Sequence, residues 1–354
     1  RRFGDTTAVD RIELSIARGE FVSLLGPSGC GKSTLLSLIT GLVDPDSGDV
    51  VIDGRVVNDV PPQQRRLGLV FQDYAVFSRL TVRQNLAFGL QAQGVRKAER
   101  NRRIEAMAEK LGLDPLLNRR GASLNMSEMQ RVALGRSLIT EPELLLLDEP
   151  MSNLDASLRL ALRTELKQIQ TELGQTVVYV THDQSEAMAM SDRIAVMRSG
   201  RILQLGTPDE IYRRPNSRFV AEFIGDPPMN ILPCEVLGDG TGLVVRTALH
   251  GPLALPNIHA QPGPHLLGIR PHDVKLGPPG GAGTASTTVR FVENLGAEHI
   301  AHVQYGDDLL AVATRPHAVS EGDTVAISFP PSAVHLIRES DGVVLAGSGA
   351  GADS

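Results

Sequence analysis

An α/β fold with an inserted helical subdomain, followed by a small all-β domain, is what this sequence predicts, and three observations carry the prediction. Four short apolar runs each end at once in Gly, Gln, Asp-Glu or His. A charged stretch with apolar residues at helical spacing separates the second run from the third. Beyond Gly225 the composition shifts to frequent Pro and Gly with short β-like runs between them.

The runs are Phe21-Val22-Ser23-Leu24-Leu25 before Gly26, Leu67-Gly68-Leu69-Val70-Phe71 before Gln72, Leu144 to Leu147 before Asp148-Glu149, and Val177-Val178-Tyr179-Val180-Thr181 before His182. Runs of this length, apolar on both faces, are the mark of strands buried in a parallel sheet. Such sheets collect their ligands beyond the carboxyl ends of the strands. The four polar endings therefore belong to one edge. Between residues 81 and 143 the pattern is helical: Ile104, Met107, Ala108 and Leu111 form an apolar stripe through a charged segment from Val95 to Leu113. The mixed charges of that segment read as a solvated face. After Gly225, Pro227-Pro228, Pro262-Gly263-Pro264 and Pro278-Pro279-Gly280-Gly281 bound runs such as Thr287 to Val292 and Thr324 to Phe329, the pattern of a small barrel or sandwich. The expected domains are residues 1–225 and 226–345, with the Gly-rich stretch 346–354 expected to be a disordered tail.

A chain of 354 residues is long enough for two domains. Its 42% apolar and 21% charged residues are ordinary for a globular protein. The net charge of −6 argues against a nucleic-acid partner, which calls for a basic face. No stretch approaches the roughly 20 apolar residues of a membrane span, and no signal-peptide pattern opens the chain. The first residue is Arg1 rather than Met, so residues preceding it are expected. Cys30 and Cys234 lie far apart in sequence, which argues against a structural disulfide and fits a reduced compartment.

Gly26-Pro27-Ser28-Gly29-Cys30-Gly31-Lys32-Ser33-Thr34 follows the pattern G-x-x-x-x-G-K-[ST]. Glycines let backbone N–H groups curl around phosphates, and a helix opening near Lys32 would aim its positive end at them. Lys32 would neutralise the transferred phosphate, and the Ser33 hydroxyl would sit on Mg²⁺. A buried strand before the motif and the apolar Leu35-to-Ile39 helix after it supply the context that the motif needs. Cys30 is open to two readings, a thiol activated by the helix N-terminus or a small side chain tolerated in the loop. Asp148 is expected to support Mg²⁺ and Glu149 to polarise the attacking water. His182 either contacts the γ-phosphate or fills a polar niche.

In their order along the chain these motifs resemble an ABC ATPase: the P-loop, Val70-Phe71-Gln72, a signature region, Asp148-Glu149-Pro150, Asn153-Leu154-Asp155 and Thr181-His182-Asp183. The resemblance covers residues 1–225 and implies ATP and Mg²⁺ as ligands. It places Phe3 where an aromatic stacks on adenine. Gln72 falls in the loop that touches Mg²⁺ and couples to membrane subunits, and Asp155 in a loop facing a second ATP-binding subunit. Phe71-Gln72-Asp73-Tyr74-Ala75, Thr81-Val82-Arg83-Gln84-Asn85, Gln184-Ser185-Glu186-Ala187-Met188 and Phe223-Ile224-Gly225 are similar to ATPase subunits of carbohydrate importers of the maltose and glycerol-phosphate type. Gly268-Ile269-Arg270-Pro271-His272-Asp273-Val274 and Val292-Glu293-Asn294-Leu295-Gly296 resemble that subgroup's OB-like, TOBE-type regulatory barrels. The resemblance implies membrane-spanning permease subunits, an indirect solute-binding partner and a peripheral place on the cytoplasmic face. Importers of polyamine, iron or sulfate share this architecture.

One motif departs. Where the family has L-S-G-G-Q, this chain has Leu124-Asn125-Met126-Ser127-Glu128. In the family that segment closes over the γ-phosphate held by the other subunit, so Asn125 and Ser127 are the candidate contacts left. Met126 adds a side chain where backbone must approach closely, and Glu128 brings a carboxylate toward the nucleotide. Ser127 and Gln130 have the spacing of a capping box, so a helix is expected to start there. The leading reading is an ATP-hydrolysing energy-coupling subunit, homodimeric or heterodimeric. The alternatives are an ATP-binding regulatory or half-site subunit that hydrolyses little, and a soluble ABC ATPase acting on nucleic acid or ribosomes.

Overall fold

In the computed structural model, residues 1–152, 154–238, 243–247, 252–255, 260–280 and 286–346 are described. The chain divides into two compact units, Arg1–Pro208 and Asp209–Ser354.

The first unit opens with a hairpin of β1 (Arg2–Phe3) and β2 (Thr6–Thr7). Then come β3 (Phe21–Leu25), α1 (Lys32–Thr40), a second hairpin of β4 (Val51–Ile52) and β5 (Arg55–Val56), and β6 (Leu67–Val70). Three helices follow, α2 (Val82–Ala92), α3 (Lys97–Lys110) and α4 (Met126–Leu138). The unit closes with β7 (Leu144–Asp148), α5 (Ala156–Leu173), β8 (Val177–Thr181), α6 (Gln184–Met190), β9 (Arg193–Arg198) and β10 (Arg201–Gly206).

One sheet, in the order β10-β9-β3-β8-β7-β6, organises the unit. Its strands are parallel except β10, which pairs antiparallel at the edge. Every residue of β3 and β8 is buried, as continuous apolar runs require. Alternation along the strands splits the core in two. Leu145, Leu147, Val177 and Tyr179 pack with Leu86, Leu90, Leu134, Leu162 and Leu166 of the surrounding helices. Leu146, Val178 and Val180 point the other way, onto Leu35, Leu36 and Leu38 of α1. The expected helical insert stands between β6 and β7. Its α2 is capped at Thr81, whose hydroxyl accepts from Gln84 N–H while Gln84 Oε1 accepts from Thr81 N–H.

The remaining elements are α7 (Pro208–Arg213), α8 (Arg218–Phe223) and strands β11 (Asn230–Gly238), β12 (Leu243–Arg246), β13 (Leu253–Leu255), β14 (Gly263–Ile269), β15 (Lys275–Gly277), β16 (Ser286–Asn294), β17 (His299–Tyr305), β18 (Asp308–Thr314), β19 (Thr324–Ser328), β20 (His335–Ile337) and β21 (Val344–Ala346). They form two antiparallel sheets, β13-β12-β11-β14-β20-β21 and β15-β19-β16-β17-β18. Both contribute to one core, Leu232, Val236, Leu267 and Ile269 from the first and Val289, Val303, Val312 and Ile327 from the second. Arg270 is buried, donating to the carbonyls of Tyr212, Ala221 and Ile224. It fastens α7 and α8 to the β-structure. Ala346 ends β21, while 347–354, the rest of the expected tail, lie outside the described residues.

Candidate functional site

Strand register brings the polar run-endings to one edge. Leu25 of β3 stands beside Thr181 of β8, and Asp148 of β7 beside Val180. Val70 of β6 stands beside Leu147. The next residues along the chain are therefore neighbours: Gly26, His182, Glu149 and Phe71-Gln72.

The loop from Gly26 to Gly31 ends in α1, whose N-cap is Gly31 at φ 108°. A Cβ at Gly31 would meet the Ala8 carbonyl oxygen at 2.3 Å, so the position demands glycine for space as well as conformation. Gly31 offers no side-chain cap, and no acidic residue stands in the first turn. The first N–H groups of α1 are thus left for an anion, the arrangement that binds phosphate. Pro27, Ser28, Gly29 and Ser33 are exposed around it, and Thr34 is half-buried. Lys32 is buried, its Nζ donating to the carbonyls of Gly26 (2.7 Å) and Pro27 (3.2 Å). Cys30 is buried too, and burial pushes its thiol up, with Lys32 opposing. That environment disfavours the thiolate and selects the reading of a small packed side chain.

His182 Nδ1 lies 3.1 Å from Glu149 Oε2, and the imidazole is exposed. Glu149 takes a left-handed φ of 45°, a strained conformation for a side-chain-bearing residue. Its backbone N–H is held by the Val180 carbonyl at 3.0 Å. Asp148 behind it has its carboxyl pushed up, by burial first and then by Glu149, with Lys32 acting the other way. Gln72 is exposed just beyond β6. Tyr74, at φ 60°, is buried and donates its hydroxyl to the Pro150 carbonyl at 2.9 Å, which ties the Gln72 loop to the Asp148-Glu149-Pro150 segment. Asp155 is the N-cap of α5, accepting from Leu158 N–H at 2.9 Å. Phe3 is exposed, with the Arg1 guanidinium 5.0 Å above its ring.

Comparison with known proteins decides the family. Residues 9–152 match the ABC transporter family, and residues 267–337 match the TOBE domain. The chain is 43% identical over 349 residues to the sn-glycerol-3-phosphate import ATP-binding protein UgpC 1 of Rhizobium johnstonii, covering 98% of this chain and 94% of that protein. It is 42% identical to the xylose/arabinose import ATP-binding protein XacJ of Haloferax volcanii, over 98% and 93% of the two chains. The maltose/maltodextrin import ATP-binding protein MalK of Yersinia pestis is 43% identical, over 96% and 94%. This chain belongs to the ATP-binding subunits of ABC transporters. Solved ABC structures share its ATPase fold. CbiO1 of Clostridium perfringens, part of the ABC transporter complex cbiONQ, matches with a TM-score of 0.53 at 30% identity, over 58% of this chain and 83% of that one. A dimeric ATP-binding cassette in a post-hydrolysis state, bound to ADP and Pi, matches with a TM-score of 0.51 at 32% identity, over 59% and 94%.

The signature region of this ABC ATPase corrects one expectation. The capping box at the start of α4 is made by Asn125 and Glu128, not by Ser127 and Gln130. Asn125 Oδ1 accepts from Glu128 N–H, and Glu128 Oε2 accepts from Asn125 N–H, each at 2.9 Å. Asn is at least as good an N-cap as Ser, and Glu three residues on is its natural reciprocal partner. The helix therefore starts at Met126, leaving Ser127 half-buried in its first turn and Gln130 fully buried. Glu128 is also paired to Arg119 at 3.2 Å, so its charge is committed before any nucleotide arrives. Asn153, next to the half-buried Ser152, lies outside the described residues.

Sequence reasoning passed over Arg159. Its guanidinium reaches both the turn before α5 and the turn after His182. No sequence signal marks it, since its partners Leu154 and Asp183 meet it only in the folded chain.

Proposed function

We propose that this ABC ATPase is the energy-coupling subunit of an importer for sugars or glycerol-phosphate-type solutes, working as a dimer at the cytoplasmic face beside separate membrane-spanning subunits. The observation that carries the chemistry is the Glu149–His182 pair, 3.1 Å apart at the strand edge that also carries the phosphate loop. The solute class is supported by the import proteins that match it across nearly their whole length.

In this reading the Gly26–Thr34 loop and the open end of α1 hold the phosphates, and Lys32 turns from its loop carbonyls to the β- and γ-phosphates. Glu149 takes the proton of the attacking water on its carboxylate, and His182 holds the γ-phosphate and steadies Glu149. Phe3 stacks on the adenine. Asn125 and Ser127 face the partner's nucleotide, and Asp155 the partner itself.

The residues present fit a magnesium ion. Asp148 and Glu149 place two carboxylates against one buried lysine, a surplus of negative charge that burial aggravates at Asp148. Among the described residues no three His, Cys, Asp or Glu side chains cluster as a metal cage. An ion held here would draw its remaining ligands from phosphate oxygens and water. Ser33, Asp148 and Gln72 would hold it, and when bound it supplies neutralisation of phosphate charge.

Among the described residues no helix is long and apolar enough to cross a membrane, and in this reading coupling runs to separate membrane-spanning subunits. Phe77, just before the helical insert, and Phe88, on its α2, are exposed with ring centroids 4.8 Å apart, and Phe71 is exposed beside Gln72. Exposed aromatic patches of this kind suit a docking surface for the membrane subunits. The ATPase domain is taken to run to Gly225, and the β-domain of 226–345 to hold the dimer or bind a regulator.

The test is steady-state ATP hydrolysis by the purified chain, alone and with its membrane subunits, against Glu149→Gln. Turnover abolished in the variant with ATP binding retained is the expected outcome. Equal turnover in both would overturn the assignment of Glu149. In proteoliposomes, sugar or glycerol phosphate uptake is expected, and uptake of polyamine, iron or sulfate instead would replace the solute class.

A further inference from the structure

One guanidinium joins the two turns that flank the Glu149–His182 pair. Arg159 lies four residues beyond Asp155, one turn into α5. Its Nη2 donates to the Leu154 carbonyl at 2.9 Å, and its Nη1 donates to Asp183 Oδ2 at 3.3 Å. Its Nε stands 3.5 Å from Glu186 Oε1, an ion-pair contact. Leu154 belongs to the turn between Pro150 and α5, and Asp183 follows His182 directly.

Glu186 is itself buried, and its other carboxylate oxygen is fully engaged. Oε2 accepts from the hydroxyls of Tyr179 and Thr181, each at 2.7 Å. Thr181 Oγ1 accepts in turn from Asp183 N–H at 2.9 Å. The residues on both sides of His182 are therefore fixed to Glu186, while the imidazole is left exposed toward Glu149. Burial first, and Glu186 second, push the Tyr179 hydroxyl well above its ordinary range, which keeps it a donor to the carboxylate.

A buried carboxylate with two hydroxyl donors needs a cation to remain charged at low cost. A guanidinium supplies it while its fork reaches two further acceptors in fixed directions, which a lysine ammonium cannot reproduce. We propose that Arg159 is a positioning residue for ATP hydrolysis: acting through Asp183 and Glu186, it holds the His182 turn in register with the turn at Leu154-Asp155. This rests on the reading of Glu149 and His182 as the hydrolytic pair. It adds a direct mechanical link between the segment after Glu149 and the segment carrying His182, so that displacement of one turn is felt at the other. Misplacement of reacting groups by about 1 Å can cost about 10² in rate.

The experiment compares the full chain with Arg159→Met, Arg159→Lys and Glu149→Gln. It measures kcat and KM for ATP with the membrane subunits present, thermal unfolding, and the imidazole NMR resonances of His182 in nucleotide-free protein. Arg159→Met is expected to lower kcat by about 10²-fold with KM for ATP unchanged, and to move the His182 resonances. Arg159→Lys, which keeps a cation near Glu186 and so protects folding, is expected to fall between wild type and Arg159→Met on both readouts. Unmoved His182 resonances with kcat falling only in step with folded protein would reduce Arg159 to a stabilising ion pair and overturn the proposal. So would wild-type kcat in Arg159→Met. Failure of the underlying reading looks different. Glu149→Gln would then hydrolyse normally, while the His182 resonances would still report whether Arg159 holds that turn.

Discussion

Two helices of the ATPase unit, α1 and α4, treat their first N–H groups in opposite ways. Helix α1 starts from Gly31, with no capping side chain and no acid in its first turn. Helix α4 starts from Asn125, whose side chain and that of Glu128 close a reciprocal capping box, with Arg119 paired to the Glu128 carboxylate. Every α-helix leaves about four N–H groups without intrahelical partners, and these attract anions. Whether such a terminus is a ligand site therefore depends on what the chain's own side chains leave over. The first terminus is open to phosphate. The second has two of its N–H groups taken by its own side chains, Glu128 N–H by the Asn125 amide oxygen and Asn125 N–H by the Glu128 carboxylate, in the segment that by family resemblance meets the nucleotide of a partner subunit.

The largest effect should come from the open terminus. Replacing Lys32 by Met removes the one cation buried within the phosphate loop, at a position only 5% exposed. Turnover is expected to fall by about 10²–10³, the cost typical of losing one preorganised group aimed at developing charge. Steady-state hydrolysis and a nucleotide titration check it together. Retained turnover would mean that the backbone N–H groups of α1 suffice, and the contrast between the two helices would then rest on backbone alone.

The next prediction acts on the closed terminus. Restoring the family signature with Asn125→Ser, Met126→Gly, Ser127→Gly and Glu128→Gln together removes the Glu128 charge and the Met126 side chain while keeping residues that can cap a helix. Homodimer turnover is expected to rise, by up to about 10² if one transition-state donor is regained. Equal turnover before and after would show that Asn125-Met126-Ser127 already serves as a working signature. Self-capping would then be compatible with closure over a partner's phosphate.

The contrast also shows what the sequence could reveal. The strand edge was legible because buried parallel strands read as unbroken apolar runs, and the residue after each run falls at the ligand end by topology. That placed Gly26, Asp148-Glu149 and His182 at one edge, while the roles expected of them drew also on the P-loop pattern and the order of the motifs. The helical insert was equally plain from the stripe of Ile104, Met107 and Ala108. The start of α4 was not, because Asn125-x-x-Glu128 and Ser127-x-x-Gln130 both satisfy the capping pattern. The reciprocal bonds of Asn125 and Glu128 in the folded chain, with Gln130 buried, decide between them. Arg159 was invisible for a different reason. A lone arginine on a helix carries no spacing signal, and its partners Leu154, Asp183 and Glu186 converge only through the packing of α5 and α6 against β8.

The smallest predicted effect isolates the cap from the chemistry. Asn125→Ala removes the acceptor for Glu128 N–H and leaves Glu128 as the other half of the box. The loss expected is about 1 kcal/mol of stability, typical for an N-cap replaced by alanine, and chemical denaturation of the folded chain reads it directly. The matching change at the other helix, Gly31→Asn, does not simply add a cap. Its Cβ would collide with the Ala8 carbonyl oxygen, and φ 108° is foreign to a residue with a side chain. Stability should therefore fall in both variants, by loss of a bond in one and by strain in the other. A stabilised Gly31→Asn chain would show that α1 can be self-capped as α4 is. The openness of its terminus would then be a choice made for the ligand rather than a consequence of crowding at Ala8.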